Sequence, residues 1–267
     1  MIRLYKILII LSFYPLILSA DIVMGVVPQQ SPMKLLKVWK PIANYLSLKT
    51  GEKVFFKTER SINKFEDVLY SGGYDFAYMN PYHYVIANKK QNYIAKVRAS
   101  KNINGILVVK KGENIDLLKR KKNRFLFPAP NAFAATLLSK YDLLEKFHVS
   151  KKSLDNAMYV NSHDSVYKGI SRGLGDVGGG IERTFVNLGS KDMKNSLTII
   201  HKTKDYPSHP FAFKKEMNEK IKKKIVDALL SVPKQILTPL SMKKLIKIDD
   251  SEYDAIRDIA VKLDLMY

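Results

Sequence analysis

The chain contains no cysteine. That excludes disulfides, thiolate metal centres, a cysteine nucleophile and lipid attachment through a signal-adjacent cysteine. Carboxylates are scarce as well: 25 Asp and Glu face 45 Lys and Arg, giving a formal net charge of +20. No Gly/Ser linker or low-complexity tract interrupts the chain, so folding throughout is expected. No apolar run reaches the roughly 20 residues of a membrane-spanning helix. The five histidines are scattered without metal-ligand spacing, and no serine sits in a nucleophile elbow. The run Gly178-Gly-Gly180 lacks the lysine and Ser/Thr of a nucleotide P-loop, so close backbone packing is its better account. No cofactor, no metal and no enzymatic chemistry are therefore expected.

What is present begins with a processing signal. Arg3 and Lys6 precede an apolar stretch from Ile7 to Leu18, and Leu18-Ser19-Ala20 fits a small-residue cleavage site. Residues 1–20 read as a signal peptide for export to the periplasm; retention as an N-terminal anchor is the alternative. Its removal leaves 247 residues of charge +18, since Arg3 and Lys6 are its only charged side chains. The lysines are spread along the chain, and the runs at 119–124 and 220–224 flank apolar patterns like solvated helix faces. No RNP-like aromatic pattern accompanies them, so nucleic acid is not an expected partner, whereas a small anion is.

Hydrophobic periodicity gives the organisation. A strand at 21–27 leads through Pro28 to a helix started by Ser31-Pro32, with Leu35, Val38, Trp39, Ile42, Tyr45 and Leu46 on one face and Gly51 as its stop. Val54-Phe-Phe56 resumes as strand, and this βαβ opening predicts a largely parallel sheet. A helix carrying Phe65, Val68 and Leu69 turns at Gly72-Gly73 into a strand at 74–79 and a polar loop at 80–84. Strands are expected at 95–100, 105–110, 125–128 and 197–200. Pro130-Asn131 opens a further helix, with Asn131 as its N-cap. The predicted class is α/β with two lobes, each a mostly parallel sheet flanked by helices, and a ligand cleft between them. Lobe 1 is expected to comprise 21–104 plus 204–267, and lobe 2 to comprise 105–203.

The segment from Val160 to Phe185 carries the clearest site signal. Ser162 and Asp164 are good N-cap residues, Val166 and Ile170 form an i,i+4 apolar pair, and Arg172-Gly173 closes about two turns. Asp176 then leads a short buried strand of glycines. His163 and Asp164 would sit where strand becomes helix, the edge at which open α/β sheets bind ligands. The order helix, glycine turn, aspartate, short strand also occurs at Gly72 to Ala77, about a hundred residues earlier.

Four blocks together resemble the PhnD-like phosphate/phosphite/phosphonate-binding proteins of ABC transporters, within the type 2 periplasmic binding proteins. They are Gly25-Val-Val-Pro with Trp39-Lys-Pro and Tyr45-Leu, Tyr74-Asp-Phe-Ala-Tyr, Pro128-Ala-Pro-Asn, and Ser162-His-Asp through Gly169 to Asp176. The resemblance implies a clamp that closes on one oxyanion and hands it to an inner-membrane permease. It places the oxyanion at the helix start Asn131-Ala132-Phe133-Ala134, where free N–H groups and the helix dipole favour negative charge. Family members carry hydroxyls there, and this chain offers backbone donors instead. His163 falls on the histidine that donates to the oxyanion, and Tyr78 to Asn80 on the loop that supplies a tyrosine or amide. Where aminophosphonate binders carry carboxylates, this chain has Arg183 and His209, which implies a ligand without an amine.

The residues taken singly leave alternatives open. Asp164 reads as an N-cap before a ligand group, and Asn131 can serve as cap and anion neighbour together. Arg183 either pairs with Glu182 or faces the cleft. Tyr82, His83 and Tyr84 suit a lobe surface or a cleft wall, and Phe133 packs either on ligand or within its lobe. A monomer is expected. The rival to transport is a sensing module that presents its liganded state to a membrane sensor kinase or cyclase.

Overall fold

The computed structural model describes residues 21–30, 32–120 and 122–266, with the side chain of Arg183 outside that description. The signal segment 1–20 and the Ser31 cap therefore lie outside the described residues. The first half of the fold runs β1 (Ile22–Val26), α1 (Pro32–Thr50), β2 (Val54–Thr58), α2 (Ile62–Tyr70), β3 (Phe76–Tyr78), α3 (Pro81–Gln91) and β4 (Ile94–Ala99). The chain then crosses to β5 (Ile106–Lys110), β6 (Phe125–Phe127), a π-helical turn (Phe133–Leu138) that continues as α4 (Ser139–Glu145), α5 (Lys151–Asp155) and β7 (Met158–Tyr159). After α6 (His163–Ser171), β8 (Val177–Gly180), α7 (Glu182–Val186), α8 (Lys191–Asn195) and β9 (Leu197–Lys202), it crosses back. It ends with β10 (Pro210–Phe213), α9 (Glu219–Leu230), α10 (Lys234–Leu237), β11 (Leu245–Lys247) and α11 (Asp254–Lys262).

Two sheets result. One has six strands in the order β11-β4-β10-β3-β1-β2, and the other five in the order β7-β6-β8-β5-β9. They are mixed rather than mostly parallel. In the first, β2, β1 and β3 pair in parallel while β10 and β11 run antiparallel to their neighbours. In the second, β7, β6 and β8 are parallel and β5 pairs antiparallel with both β8 and β9. Two of the antiparallel members, β5 and β10, directly follow the crossings, and a strand entering from the other lobe cannot arrive by a βαβ step. The two crossings are themselves paired, since the Ile103 N–H donates to the Tyr206 carbonyl at 2.8 Å and the Tyr206 N–H returns to the Ile103 carbonyl at 2.9 Å.

The parallel halves of the lobes repeat at a constant spacing of 101 residues. Ser61 caps α2 by accepting the Lys64 N–H, and Ser162 caps α6 by accepting the Ser165 N–H. Both helices end at a left-handed glycine, Gly72 at φ +75° and Gly173 at φ +78°. In each, the next N–H reaches back five residues at 2.8 Å, Gly73 to Val68 and Leu174 to Gly169. This is the glycine C-cap that a left-handed turn requires. Asp75 then accepts the Val23 N–H at 2.7 Å, and Asp176 accepts the Arg124 N–H at 2.7 Å. Strand register follows the same spacing: Val26 faces Thr58 and Met24 faces Phe76, while Phe127 faces Tyr159 and Phe125 faces Val177.

Burial follows the apolar stripes. Leu35, Trp39, Ile42 and Leu46 of α1 are buried against β1 and the antiparallel strands, each worth roughly 1.5–3 kcal/mol. The glycine run of β8 is close packing: a Cβ on Gly179 would lie 2.1 Å from the Ala135 carbonyl, and one on Gly180 2.1 Å from the Tyr167 hydroxyl. One hydrophobic cluster joins the lobes, taking Phe133, Leu137 and Leu138 from the second together with Phe65, Tyr84, Tyr253 and Ile256 from the first.

Candidate functional site

The carboxyl ends of the two sheets meet. Asn80, directly after β3, is buried and donates from Nδ2 to the Asn131 carbonyl after β6 at 3.0 Å. Its other amide atom accepts the His83 N–H at 2.8 Å, so Asn80 is the N-cap of α3. The expected loop at 80–84 is thus the first turn of a helix, with Pro81 at its N1 position, where the missing N–H costs nothing. Tyr84 does not reach the cleft. It is fully buried in the first lobe, donating to Asp250 and accepting the Ala95 N–H, because the helical turn rotates it onto α11.

On the second lobe, the helix start differs from a simple capped α-helix. Ala132 holds the cap position with no side-chain bond, and its carbonyl accepts both the Thr136 and the Leu137 N–H. The opening turn is π-type, a form often found at functional positions. The N–H groups of Phe133, Ala134 and Ala135 lie in the turn where a helix has no acceptors of its own. Thr136, buried behind them, donates to the Ala129 carbonyl at 2.7 Å and fixes the loop. The Phe133 ring is buried and meets Tyr206 edge-on at 6.1 Å, so the side chain packs at the interlobe cluster. Asn131 is not the cap. Its side chain instead donates to Glu66 Oε1 on the first lobe at 2.8 Å, since the helix begins one residue later than the sequence suggests.

The first-lobe wall is aromatic. Tyr78, half-buried at the end of β3, stacks on His209 at 5.3 Å and 20°, with Trp39 at 4.6 Å and Phe211 at 5.1 Å behind it. His209 Nε2 lies 2.8 Å from Gln29 Nε2, in the loop after β1. The structure thus brings Tyr78 and His209 together as one surface, and Asn80 and Asn131 as one contact. His163 opens α6, half-buried, with Ser162 rather than Asp164 as the cap. Asp164 is exposed in the first turn. The Arg183 side chain falls outside the described residues.

Sequence reasoning missed Glu66. It lies on α2 beside Phe65 with a side chain 13% exposed, 2.9 Å from Nε2 of the fully buried His83. Burial alone would raise its pKa; the His83 hydrogen bond and charge, with the Asn131 hydrogen bond, outweigh this and hold the carboxyl below its ordinary value. A glutamate next to an apolar helix position carries no periodic signal, so only the assembled lobes reveal it. Among the described residues, no group of three His, Asp or Glu could hold a metal ion.

Two lobes of mixed sheet, joined by two paired crossings and meeting over a helix start, define a type 2 periplasmic binding protein fold. A family model described as the periplasmic substrate-binding protein of phosphonate ABC transporters matches residues 24–253. The chain belongs to that family, which makes it a periplasmic substrate-binding component of transport rather than an enzyme. Among solved structures it is similar to PhnD1 from Prochlorococcus marinus (MIT 9301) in complex with methylphosphonate. Identity is 21% and the TM-score 0.80, over 92% of this chain and 98% of that one. A binding-protein component of an ABC phosphonate transporter from Pseudomonas aeruginosa is 18% identical with a TM-score of 0.77, over 92% of this chain and 87% of its own. The periplasmic VFT2 domain of Bordetella pertussis BvgS is 14% identical with a TM-score of 0.53, over 83% and 92%.

Proposed function

We propose that this protein captures a small phosphonate-type oxyanion without an amine and presents it, as a monomer, to an ABC permease. The observation that carries this is the Phe133–Ala135 helix start, which follows directly on the Asn80–Asn131 contact between the lobes. Three N–H groups and a helix dipole supply the positive potential that an oxyanion needs, without side-chain hydroxyls. Tyr78 and His209 form the facing wall, and His163 with Arg183 is assigned to the second lobe's contribution. In this reading, Asn131 and Ala132 to Ala134 line the oxyanion, and Asp164 stays at the rim.

Against an amine-bearing ligand stands the imidazole of His209 on the wall, and the carboxylate nearest the contact, Glu66, is already held by two donors. The lobes, 21–104 plus 204–267 and 105–203, would rotate about the paired crossings near Ile103 and Tyr206. Residues 1–20 would act as the cleavable signal. Calorimetric titration tests the reading, with methylphosphonate chosen first because PhnD1 was solved with it. Methylphosphonate, phosphite or phosphate is expected to bind, and 2-aminoethylphosphonate at least about tenfold more weakly, a difference of about 1.4 kcal/mol. Silence from every oxyanion overturns it. The sensing alternative predicts a neighbouring kinase or cyclase gene in place of a permease and ATPase.

A further inference from the structure

The repeat of the lobes exposes one position that departs from it. Tyr167 of α6 lies 101 residues after Glu66 of α2, on helices of equal length with equivalent caps. Tyr167 works inside its own lobe, donating to the Ile181 carbonyl at 2.8 Å and accepting the Ile181 N–H at 2.9 Å. Ile181 in turn is the counterpart of Asn80, so the repeat predicts that residue 66 should bind residue 80 within the first lobe. It does not. Asn80 uses its amide on its own helix and on the Asn131 carbonyl, and Glu66 reaches past it to the Asn131 side chain at 2.8 Å.

His83 completes the departure. It is fully buried, its Nδ1 makes no hydrogen bond, and its Nε2 faces Glu66 Oε1 at 2.9 Å and Asn80 Nδ2 at 3.1 Å. A buried ring nitrogen without a partner is costly, and the ring's other nitrogen is committed to holding the Glu66 carboxylate. Asn131 is therefore gripped twice from the first lobe, at its carbonyl by Asn80 and at its amide by Glu66. The next residues along the chain are Ala132 and the helix start at Phe133.

We propose that Glu66, held by His83, is the positioning residue of the cleft: it latches the Asn131 loop of the second lobe onto the first and so sets both lobe closure and the placing of the Phe133–Ala135 donors. This rests on the reading that those donors take the oxyanion. This carboxylate-to-amide latch is made by groups of the protein alone. It also places a fixed negative charge beside the loop, which disfavours a second negative charge on that side of a ligand.

The test uses the purified full chain, small-angle scattering of the ligand-free protein and calorimetric titration with methylphosphonate. E66A is expected to enlarge the ligand-free radius of gyration and to weaken methylphosphonate about tenfold, a typical coupling for residues in one network. E66Q keeps an acceptor for the Asn131 amide and is expected to stay within about threefold of the wild type. N131A should reproduce E66A, and the double variant E66A/N131A should be no worse than either single one. A role confined to the first lobe would give additive effects, because Glu66 and Asn131 would then act separately. Unchanged scattering and affinity in E66A, or additivity in the double variant, overturns the proposal. If the wild type binds neither methylphosphonate, phosphite nor phosphate, the ligand reading fails, and the scattering of E66A against wild type alone decides the latch.

Discussion

The stretch from Ser61 to Asp75 in the first lobe and that from Ser162 to Asp176 in the second are one backbone device, used for different ends. Each caps a nine-residue helix with serine, ends it on a left-handed glycine, and ties an aspartate to a backbone N–H at the start of the neighbouring strand. The side chains packed around that device are exchanged. In the first lobe Gly25 makes room for the Tyr74 ring; in the second, Leu126 fills the same space and Gly175 makes the room. Close packing fixes the summed volume and leaves open which strand supplies it. One step further on, Tyr78 forms a wall while its counterpart Gly179 lets the Ala135 backbone approach. Repetition thus builds the scaffold, and departures from it mark the recognition surface.

Several substitutions would break or sharpen this comparison. The largest effect is expected from G179A, because the added Cβ would lie 2.1 Å from a backbone carbonyl and against the Phe127 ring. Urea unfolding should show a loss of about 3 kcal/mol. A wild-type stability would mean that the glycine run is not close packing. Next, G175A drives a Cβ into Leu126, 1.5 Å from Cδ1, and should cost about 2 kcal/mol. The double variant L126A/G175A should lose clearly less than the two single losses combined, since the large and small partners compensate. Additive losses would refute the exchange of volume between lobes.

D75N and D176N should each cost about 1.5 kcal/mol through a weakened bond to a backbone N–H, an equality that tests whether the two aspartates do the same work. D176N is also expected to show pH sensitivity through Arg124. The hydrogen bond from the Arg124 side chain is the largest cause holding the Asp176 carboxyl below its ordinary 3.8, helped by that from the Arg124 N–H, against a smaller opposing effect of burial. A depressed folded value means the stabilisation is complete above pH 3.8 and is lost as pH falls through the lower folded value. The stability difference between wild type and D176N should therefore close in strong acid; a difference unchanged at acid pH would show that the Asp176 charge contributes nothing. The smallest effect belongs to Y167F, which removes both hydroxyl bonds to Ile181 and should cost about 1 kcal/mol with methylphosphonate affinity unchanged. A loss of affinity there would mean that the Tyr167 position also reaches the cleft.

Much of the fold was legible because its signals are local. The apolar stripe of α1, the Ser162 cap, Gly72 and Gly173 each determine structure within a few residues, and the matched Gly-to-Asp units announced two similar lobes. The mixed sheets were not legible, since antiparallel pairing of β5 and β10 depends on which lobe a crossing strand enters. At the site, the family blocks pointed to the segment 131–134 and to the loop at 78–80, but not to the contact that joins Asn80 to Asn131. The inward turn of Tyr84 was not legible either, because the run Asn80-Pro-Tyr-His-Tyr84 reads as loop until Asn80 finds the His83 N–H to cap.

The sequence by itself determined the two-lobed α/β class, the family, and the elements that carry the cleft, because periodicity, caps and glycine turns are properties of neighbouring residues. Tertiary structure alone decided that Asn131 leaves its own helix uncapped and reaches Glu66, that His83 supports that carboxylate from a buried position, and that Tyr78 stacks on His209. Each of these joins residues far apart in the chain, and such pairings are fixed by the packing of two lobes against each other, which no local pattern encodes.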